Sequence, residues 1–416
     1  VPSPFATQTR GIRPIVVAQL VSVTGTQVSM IALPAVAVLV LRASPLAVSA
    51  LFAISYAAQA ASAPFAGVLV DSARSRRALL VVVESLHAVV MAAVPAGRAI
   101  GLLGLPLLFA AGVASGVLGG NTTVAVRAAL ARAVPAQHAV AANSAVAGSR
   151  AIGQIAGPAL AGWLIQVLDA VSAVTADAAS YAVSALIFLR LRVPAEPGPP
   201  RRDRQSLREG MALLAGQPAL VRIAVADAAL NVGGAALGAL YIVYVFRYLR
   251  LAPAALGVTL MVQNGAAVLA VASADRVSRR IGLRRVVPVF APAAAASLLL
   301  IPAASVLPPL ATLVVYGAIF GYCATLWSVG SAALQQILIP PRQLGRVVAL
   351  SRTAGLVAIP VGAALGGLVA QGWGVVQSLV VFALVALACT TAAAHGAGWR
   401  TGPRRAGEPA LPERNR

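Results

Sequence analysis

Lysine is absent from this 416-residue chain, and acids are scarce: 11 Asp and Glu stand against 32 arginines. Charged residues make up 10% of the sequence and hydrophobic ones 59%, with a mean hydropathy of +0.87. A soluble domain carries about 25% charge, so this chain has too few polar groups to cover a water-facing surface. Lipid is the expected solvent. A net charge of +21 would point to nucleic acid in a soluble protein. Here the arginines fall between long apolar runs, with no basic stripe interleaved with aromatics. Nucleic acid is therefore not an expected partner, and orientation in a membrane explains the charge.

Cysteine is nearly missing too. Cys323 and Cys389 lie inside apolar runs, offer no disulfide framework or metal-binding spacing, and are expected to pack in the core. The three histidines, His87, His138 and His395, are too scattered for a metal site. No nucleophile–base pair, metal cluster or phosphate loop is present, so neither an enzyme nor a cofactor is expected. No small-residue cleavage site follows the first apolar run, which reads as a retained span from Ile15 to Leu41.

What the chain does have is apolar length. Crossing a bilayer as a helix takes about 20 mainly apolar residues. Twelve stretches qualify, near 15–41, 46–70, 78–97, 102–125, 143–167 and 170–190, then 219–246, 253–274, 285–303, 308–331, 347–370 and 375–395. Pro288, Pro292 and Pro302 make the ninth the least regular. The expected fold is an all-α membrane protein with twelve transmembrane helices in two pseudo-symmetric six-helix bundles. Residues 1–192 form the first bundle and 218–395 the second, with a linker over 193–217 and a tail over 396–416. Leu207, Met211 and Leu214 predict a short surface helix in the linker. With twelve spans, Arg42, Arg98, Arg247 and Arg250 share one side, and all other arginines lie on the opposite side or at its span ends. That arginine-rich side is then cytoplasmic, and it holds both termini and the linker beneath the cell membrane.

The stretch Gly67–Arg77, G-V-L-V-D-S-A-R-S-R-R, breaks two apolar runs with Asp71 followed by Arg74, Arg76 and Arg77. Asp275, with Arg276, Arg279 and Arg280, echoes it 204 residues later. At an offset of 205, Gly112 meets Gly317, Gly116 meets Gly321, Pro135 meets Pro340, Gly157 meets Gly362 and Gly162 meets Gly367. A register kept over that distance indicates two parallel six-helix halves. Glycines four apart, such as Gly112, Gly116 and Gly120, let helix backbones approach closely.

On these residues the sequence resembles the major facilitator superfamily, across nearly all of 10–395. Gly67, Asp71, Arg76 and Arg77 match that superfamily's loop between spans 2 and 3, while Ser72 and Arg74 depart from it. Residues 127–162 (R-A-A-L-A-R-A-V-P, then A-N-S, then G-Q-I-A-G-P-A-L-A-G) and 333–367 look like the multidrug and siderophore exporter branch, which includes enterobactin exporters. Gly153, Gly157, Pro158 and Gly162 resemble the fifth-span motif of drug–proton antiporters, with Ala161 in place of one glycine. The resemblance implies alternating access, export, and protons as the coupling ion. Many antiporters also carry an arginine inside span 4, but Gly101–Thr123 has none, so another group must serve.

Ionisable groups inside spans are functional candidates because lipid makes them costly. Asp227, with Asn231 one turn further along span 7, ranks first for proton or substrate binding; the alternative is an inter-helix hydrogen bond. Glu84 and His87, three apart, are expected to pair with each other in a span that the resemblance makes peripheral. Asp177 lies in span 6, peripheral by the same resemblance. Asn121, Gln263 and Asn264 are smaller polar candidates, weighed against packing roles. Asp71 is expected to bridge the halves as a gate, with Arg346 or Arg352 as its partners by resemblance; Asp275, Arg279 and Arg280 form a weaker counterpart. The leading reading is a monomeric, proton-driven exporter of a small amphipathic or hydrophobic compound. An importer or facilitator, or a non-transporting membrane sensor or assembly partner, is the alternative.

Overall fold

The computed structural model describes residues 12–73, 75–191, 217–339 and 341–395. Arg74 and the expected linker helix at Leu207, Met211 and Leu214 lie outside these residues. The side chains at 64, 67–68, 71–72, 132, 136, 340–350 and 352 lie outside them too, so the expected bridge from Asp71 to Arg346 or Arg352 is not described.

Twelve long helices follow one another. They are α1 (Arg13–Ala35, continued by a π-turn at Val36–Val40), α2 (Pro45–Ser72), α3 (Arg76–Ala99), α4 (Leu105–Ala133), α5 (Ala139–Val167) and α6 (Ala170–Leu189). The second half runs α7 (Pro218–Val243, with a π-turn at Tyr244–Tyr248), α8 (Pro253–Ile281), α9 (Leu283–Ser297), α10 (Pro309–Leu338), α11 (Pro341–Trp373) and α12 (Val375–Ala394). Among the described residues there is no strand, as expected where lipid cannot satisfy an open backbone. Eleven of these helices are long and apolar enough to cross a membrane. The exception, α5, spans 29 residues but carries Asn143, Arg150 and Gln154, and it packs against α1 and α8. The proline-rich ninth span is indeed broken: α9 stops at Ser297 and resumes for one turn at Leu300–Ala303.

The helix starts follow from local chemistry. Prolines open α2, α7, α8 and α10, where a missing amide donor is harmless. Ser44 and Ser75 cap α2 and α3, each hydroxyl accepting an amide hydrogen bond at 3.2 Å, from Ala47 and Ala78.

Each packing in the first half recurs in the second. Helix pairs α2–α4, α1–α5, α1–α6 and α3–α6 correspond to α8–α10, α7–α11, α7–α12 and α9–α12. The halves meet through α5–α8 and its counterpart α11–α2. Close approaches fix the register. Gly116 of α4 lies against the Ser55 carbonyl of α2 as Gly321 of α10 lies against the Gln263 carbonyl of α8. Gly157 of α5 lies against the Thr24 carbonyl of α1 as Gly362 of α11 lies against that of Val232 in α7. Helices α1 and α2 therefore map onto α7 and α8 at an offset of 208, while α4 and α5 map onto α10 and α11 at 205. Both π-turns, and Arg42 and Arg250 with φ of 50° and 51°, obey the larger offset.

That register revises the echo of the hinge. Position 71 corresponds to Arg279, and Asp275 sits one turn deeper in α8. Arg284 and Arg285, at the start of α9, stand where Arg76 and Arg77 stand at the start of α3. Asp275 accepts two 3.0 Å hydrogen bonds from Arg279 on its own helix, and both side chains are more than three-quarters exposed. Asp275, Arg279 and Arg280 thus form an exposed helix end.

The halves close on each other at the end that carries Arg42, Arg98, Arg247 and Arg250. Gly162 of α5 and Gly257 of α8 meet backbone to backbone, and Gly367 of α11 meets Ser49 of α2 in the matching place. Arg247 donates to the Val38 carbonyl at 3.1 Å, and the Ala254 amide donates to Gln166 at 3.2 Å. Toward the opposite end, Gly148 and Gly265 have no atom close enough to meet an added side chain.

At the closed end Asp169 caps α6, accepting from the Val171 and Ser172 amides at 2.8 and 2.9 Å, and it pairs with Arg98 at 3.0 Å. Partial burial alone would raise its carboxyl pKa, but the amide bonds and the Arg98 guanidinium outweigh that and hold it below the usual range. A depressed folded pKa gives stability that is present above the unfolded value and is lost as pH falls through the folded one. Asp169→Ala is expected to cost about 1 kcal/mol at neutral pH, mostly as the lost cap, because the ion pair is exposed. Thermal unfolding in detergent should show that deficit shrinking on acidification below the carboxylate range.

Candidate functional site

Between the halves lies a cavity of about 390 Å³. Its wall combines aromatic rings (Phe52, Tyr56, Tyr241, Tyr316, Phe320) with amides (Gln27, Asn231, Gln263, Asn264). No charged side chain lines it among the described residues. Helix geometry explains why these residues converge. Residues of α1, α2, α7, α8 and α10 that face away from the lipid meet along the line between the two bundles. Tyr241 donates to Thr259 at 3.2 Å, which fixes one aromatic plane.

The structure places the sequence candidates differently. Asn231, Gln263 and Asn264 line the cavity. Asn264 also donates across the halves to the Gln154 carbonyl at 2.7 Å. Asn121 is turned away: its amide donates to the Val117 carbonyl of its own helix at 2.9 Å.

Asp227 lies one turn beyond Asn231, partly buried, beside the cavity instead of in its wall. Its carboxylate sits against Gly355 of α11, where an added Cβ would lie 3.4 Å from Oδ2. Asn231 donates to the Asp227 carbonyl at 2.8 Å.

The motif residues of α5 act as spacers. Gly153 lets α5 approach Thr24, Gly157 abuts Gln27 and the Thr24 carbonyl, Pro158 lines the cavity, and Gly162 makes the contact with α8.

Glu84 and His87 depart from expectation in one respect: they do not bond to each other. Neither lines the central cavity, yet both face inward within the first bundle. Buried residues of α3, namely Leu80, Val83, Glu84, His87, Met91 and Val94, recur every three or four positions, so both ionisable groups share the inward stripe. Asp177 of α6 is buried in the same half. Ser22 of α1 donates to Glu84 Oε1 at 3.4 Å, and Ser180 donates to Asp177 Oδ1 at 3.1 Å. The His87 ring stacks on Tyr181, with centroids 4.1 Å apart and 7° between planes, while Nε2 lies 3.2 Å from the Ser115 hydroxyl. His87, Tyr181 and Ser115 line a chamber of about 170 Å³ that shares Met30, Pro34, Phe52 and Tyr56 with the central cavity, while Glu84 and Asp177 lie behind its wall.

Arg150 was not singled out by the sequence reading, which treated arginines as span-end markers. It lies well inside α5, and its Nη1 donates to the buried Gln19 of α1 at 3.4 Å. A guanidinium beside an amide in mid-span was the available signal.

The sequence profile described as the Major Facilitator Superfamily matches residues 15–246, more than half of the chain. The chain belongs to the major facilitator superfamily. No curated protein sequence matches it. Solved structures resemble this superfamily member in fold. The nucleoside transporter NupG has a TM-score of 0.74 at 13% identity, covering 91% of this chain and 97% of that one. A bacterial homologue of the iron transporter ferroportin, in an inward-facing state, has a TM-score of 0.70 at 18% identity, covering 95% and 100%. A bacterial homologue of the lysosomal transporter Spinster, inward-facing and occupied, has a TM-score of 0.72 at 13% identity, covering 95% and 98%.

Proposed function

We propose that this superfamily member is a secondary transporter of the cell membrane that exports a small amphipathic or hydrophobic compound by alternating access in exchange for protons. The observation that supports it most is the aromatic-and-amide cavity, uncharged among the described residues, between two halves whose described contacts close one end. Rings supply stacking area for an apolar body, and amides supply a few directed hydrogen bonds. If the arginine-rich end is cytoplasmic, the cavity opens toward the cell interior, where an exporter collects its cargo. The resemblance at Gly153–Gly162 to antiporters favours export and proton exchange over uptake.

The test is accumulation of the dye Hoechst 33342 and a growth-inhibitor susceptibility screen, in cells with and without the protein. Export predicts less dye in expressing cells and a return to control levels when a protonophore is added. Lower accumulation that a protonophore leaves unchanged would remove proton exchange, and higher accumulation in expressing cells would reverse the direction.

A further inference from the structure

We propose that Glu84 and Asp177 form a proton-binding pair inside the first half, reached from the cavity through the His87–Tyr181 stack. Its role in coupling rests on the export reading; the site itself rests on the geometry.

The internal duplication supplies the control. Gly25 of α1 leaves room for Asp177 and Ser180, and Gly233 of α7 stands in the same place against Phe382 and Ala386. Since α6 and α12 begin at Ala170 and Val375 and bury matching positions at an offset of 205, position 177 corresponds to Phe382. The buried face of α9, which packs on α12 as α3 packs on α6, consists of Val286, Val287, Ala291, Ala294 and Ala295, with Ser297 at its end. The second half builds the same helix packing without an acid or a histidine. Packing therefore does not require Glu84, His87 or Asp177, and burying them carries a cost the duplicate avoids.

Both acids are fully buried. Neither has a salt-bridge partner among the described residues. The facing groups are hydroxyls: Ser22, Thr26 and Ser29 from α1, Ser115 and Thr122 from α4, and Ser180 and Ser184 from α6. The titratable neighbours are His87, Tyr181 and, across the chamber, Tyr56. The cation on α5, Arg150, is held at Gln19, almost one turn of α1 before Ser22. Two carboxylates buried among neutral hydroxyls, with no cation beside them, are not expected to stay ionised together.

Within this cluster three buried atoms lack a hydrogen-bond partner: Glu84 Oε2, Asp177 Oδ2 and His87 Nδ1. A proton on either carboxyl oxygen converts an orphaned acceptor into a donor. The step is plain protonation, one carboxylate and one proton giving one carboxylic acid, with no other bond changed. His87 is 2% exposed and lines the chamber with Tyr181, whereas Glu84 and Asp177 do not, so this stacked ring pair is the part of the cluster that faces the chamber beside the cavity. Tyr181, held by its hydroxyl 2.8 Å from Thr26, keeps the imidazole plane in place.

Infrared spectroscopy of the full chain in lipid nanodiscs tests this without a substrate. The wild-type protein is expected to show a protonated-carboxyl C=O band that disappears reversibly as pH is raised while the protein stays folded. Glu84→Gln and Asp177→Asn should each shift or weaken the band, and the double variant should lose the pH-dependent part completely. His87→Gln should leave the band and slow its response to a pH jump. The proposal is overturned by a band that never responds to pH, which marks a permanently neutral structural pair. It is equally overturned by a responsive band that the double variant retains, or by no band at all. If the double variant is not recovered folded, the single variants read the band separately. Lower dye accumulation that ignores a protonophore would remove proton exchange from the proposed function alone, since the infrared result does not depend on transport.

Discussion

A cysteine pair at Ser49 and Gly367 is expected to cross-link under mild oxidation and to reduce dye export to background, with recovery on reduction. These residues join α2 of one half to α11 of the other at the closed end, where a Cβ added to Gly367 would lie 2.6 Å from Ser49 Cβ. A disulfide needs about 3.5–4.5 Å between Cβ atoms, so the helices must part by roughly 1 Å, within the 1–2 Å shifts that packed helices make. The Ser49 hydroxyl is buried without a hydrogen-bond partner, so replacing it by a thiol sacrifices no bond. Alternating access requires the halves to separate here when the cavity opens the other way, and a covalent tie forbids that. The single variants should retain export, since neither can form the tie. Of the native cysteines Cys323 is buried, and Cys389 lies on α12 away from the contact. The readout is dye accumulation before and after a reductant, with cross-linking followed by gel mobility. Export that continues in fully cross-linked protein would show that this contact need not open.

The architecture was legible because membrane helices write their ends and their close approaches in residue types. Apolar runs of sufficient length marked the spans, and matched glycines marked where backbones touch. Gly116 with Gly321, and Gly157 with Gly362, do what their spacing implied. The site was less legible for a physical reason. A soluble helix reveals its inner face through an apolar stripe, but a helix in lipid is apolar on both faces, so the stripe gives no direction. Glu84 and His87 were therefore read as a local pair, although they point into the bundle toward Ser22 and Tyr181, from two other helices. The register of the hinge echo failed similarly. A 204-residue offset matched acid to acid, whereas the packed backbones require 208 through α2 and α8. Charge identity is a weaker ruler than steric contact.

Arg150→Gln and Asp227→Asn are each expected to lower export about tenfold, roughly 1.4 kcal/mol in the limiting barrier, without lowering thermal stability. The two sites correspond. At the offset of 208 Asp227 takes the place of Gln19, and at 205 Gly355 takes the place of Arg150. The first half puts its guanidinium against a neutral amide, and the second puts a carboxylate against a glycine, so the same helix crossing carries opposite charges in the two halves. Holding such a charge at mid-span costs about 2.5–3.5 kcal/mol on insertion scales. The hydrogen bond from Arg150 to Gln19, at 3.4 Å, is long, and a bond of ordinary length to a charged group returns only about 1.5–3 kcal/mol. Desolvation therefore wins, and neutral variants should unfold at the same temperature as wild type or higher. Charges kept against that balance point to the transport cycle, where each half must present its group to water or to cargo as the cavity changes sides. Unfolding in detergent and initial rates of dye efflux, measured on the same variants, separate the two roles. A fall in stability that matches the loss of export would make both residues packing elements. If Glu84 and Asp177 carry the proton, the export remaining in Asp227→Asn should still collapse when a protonophore is added.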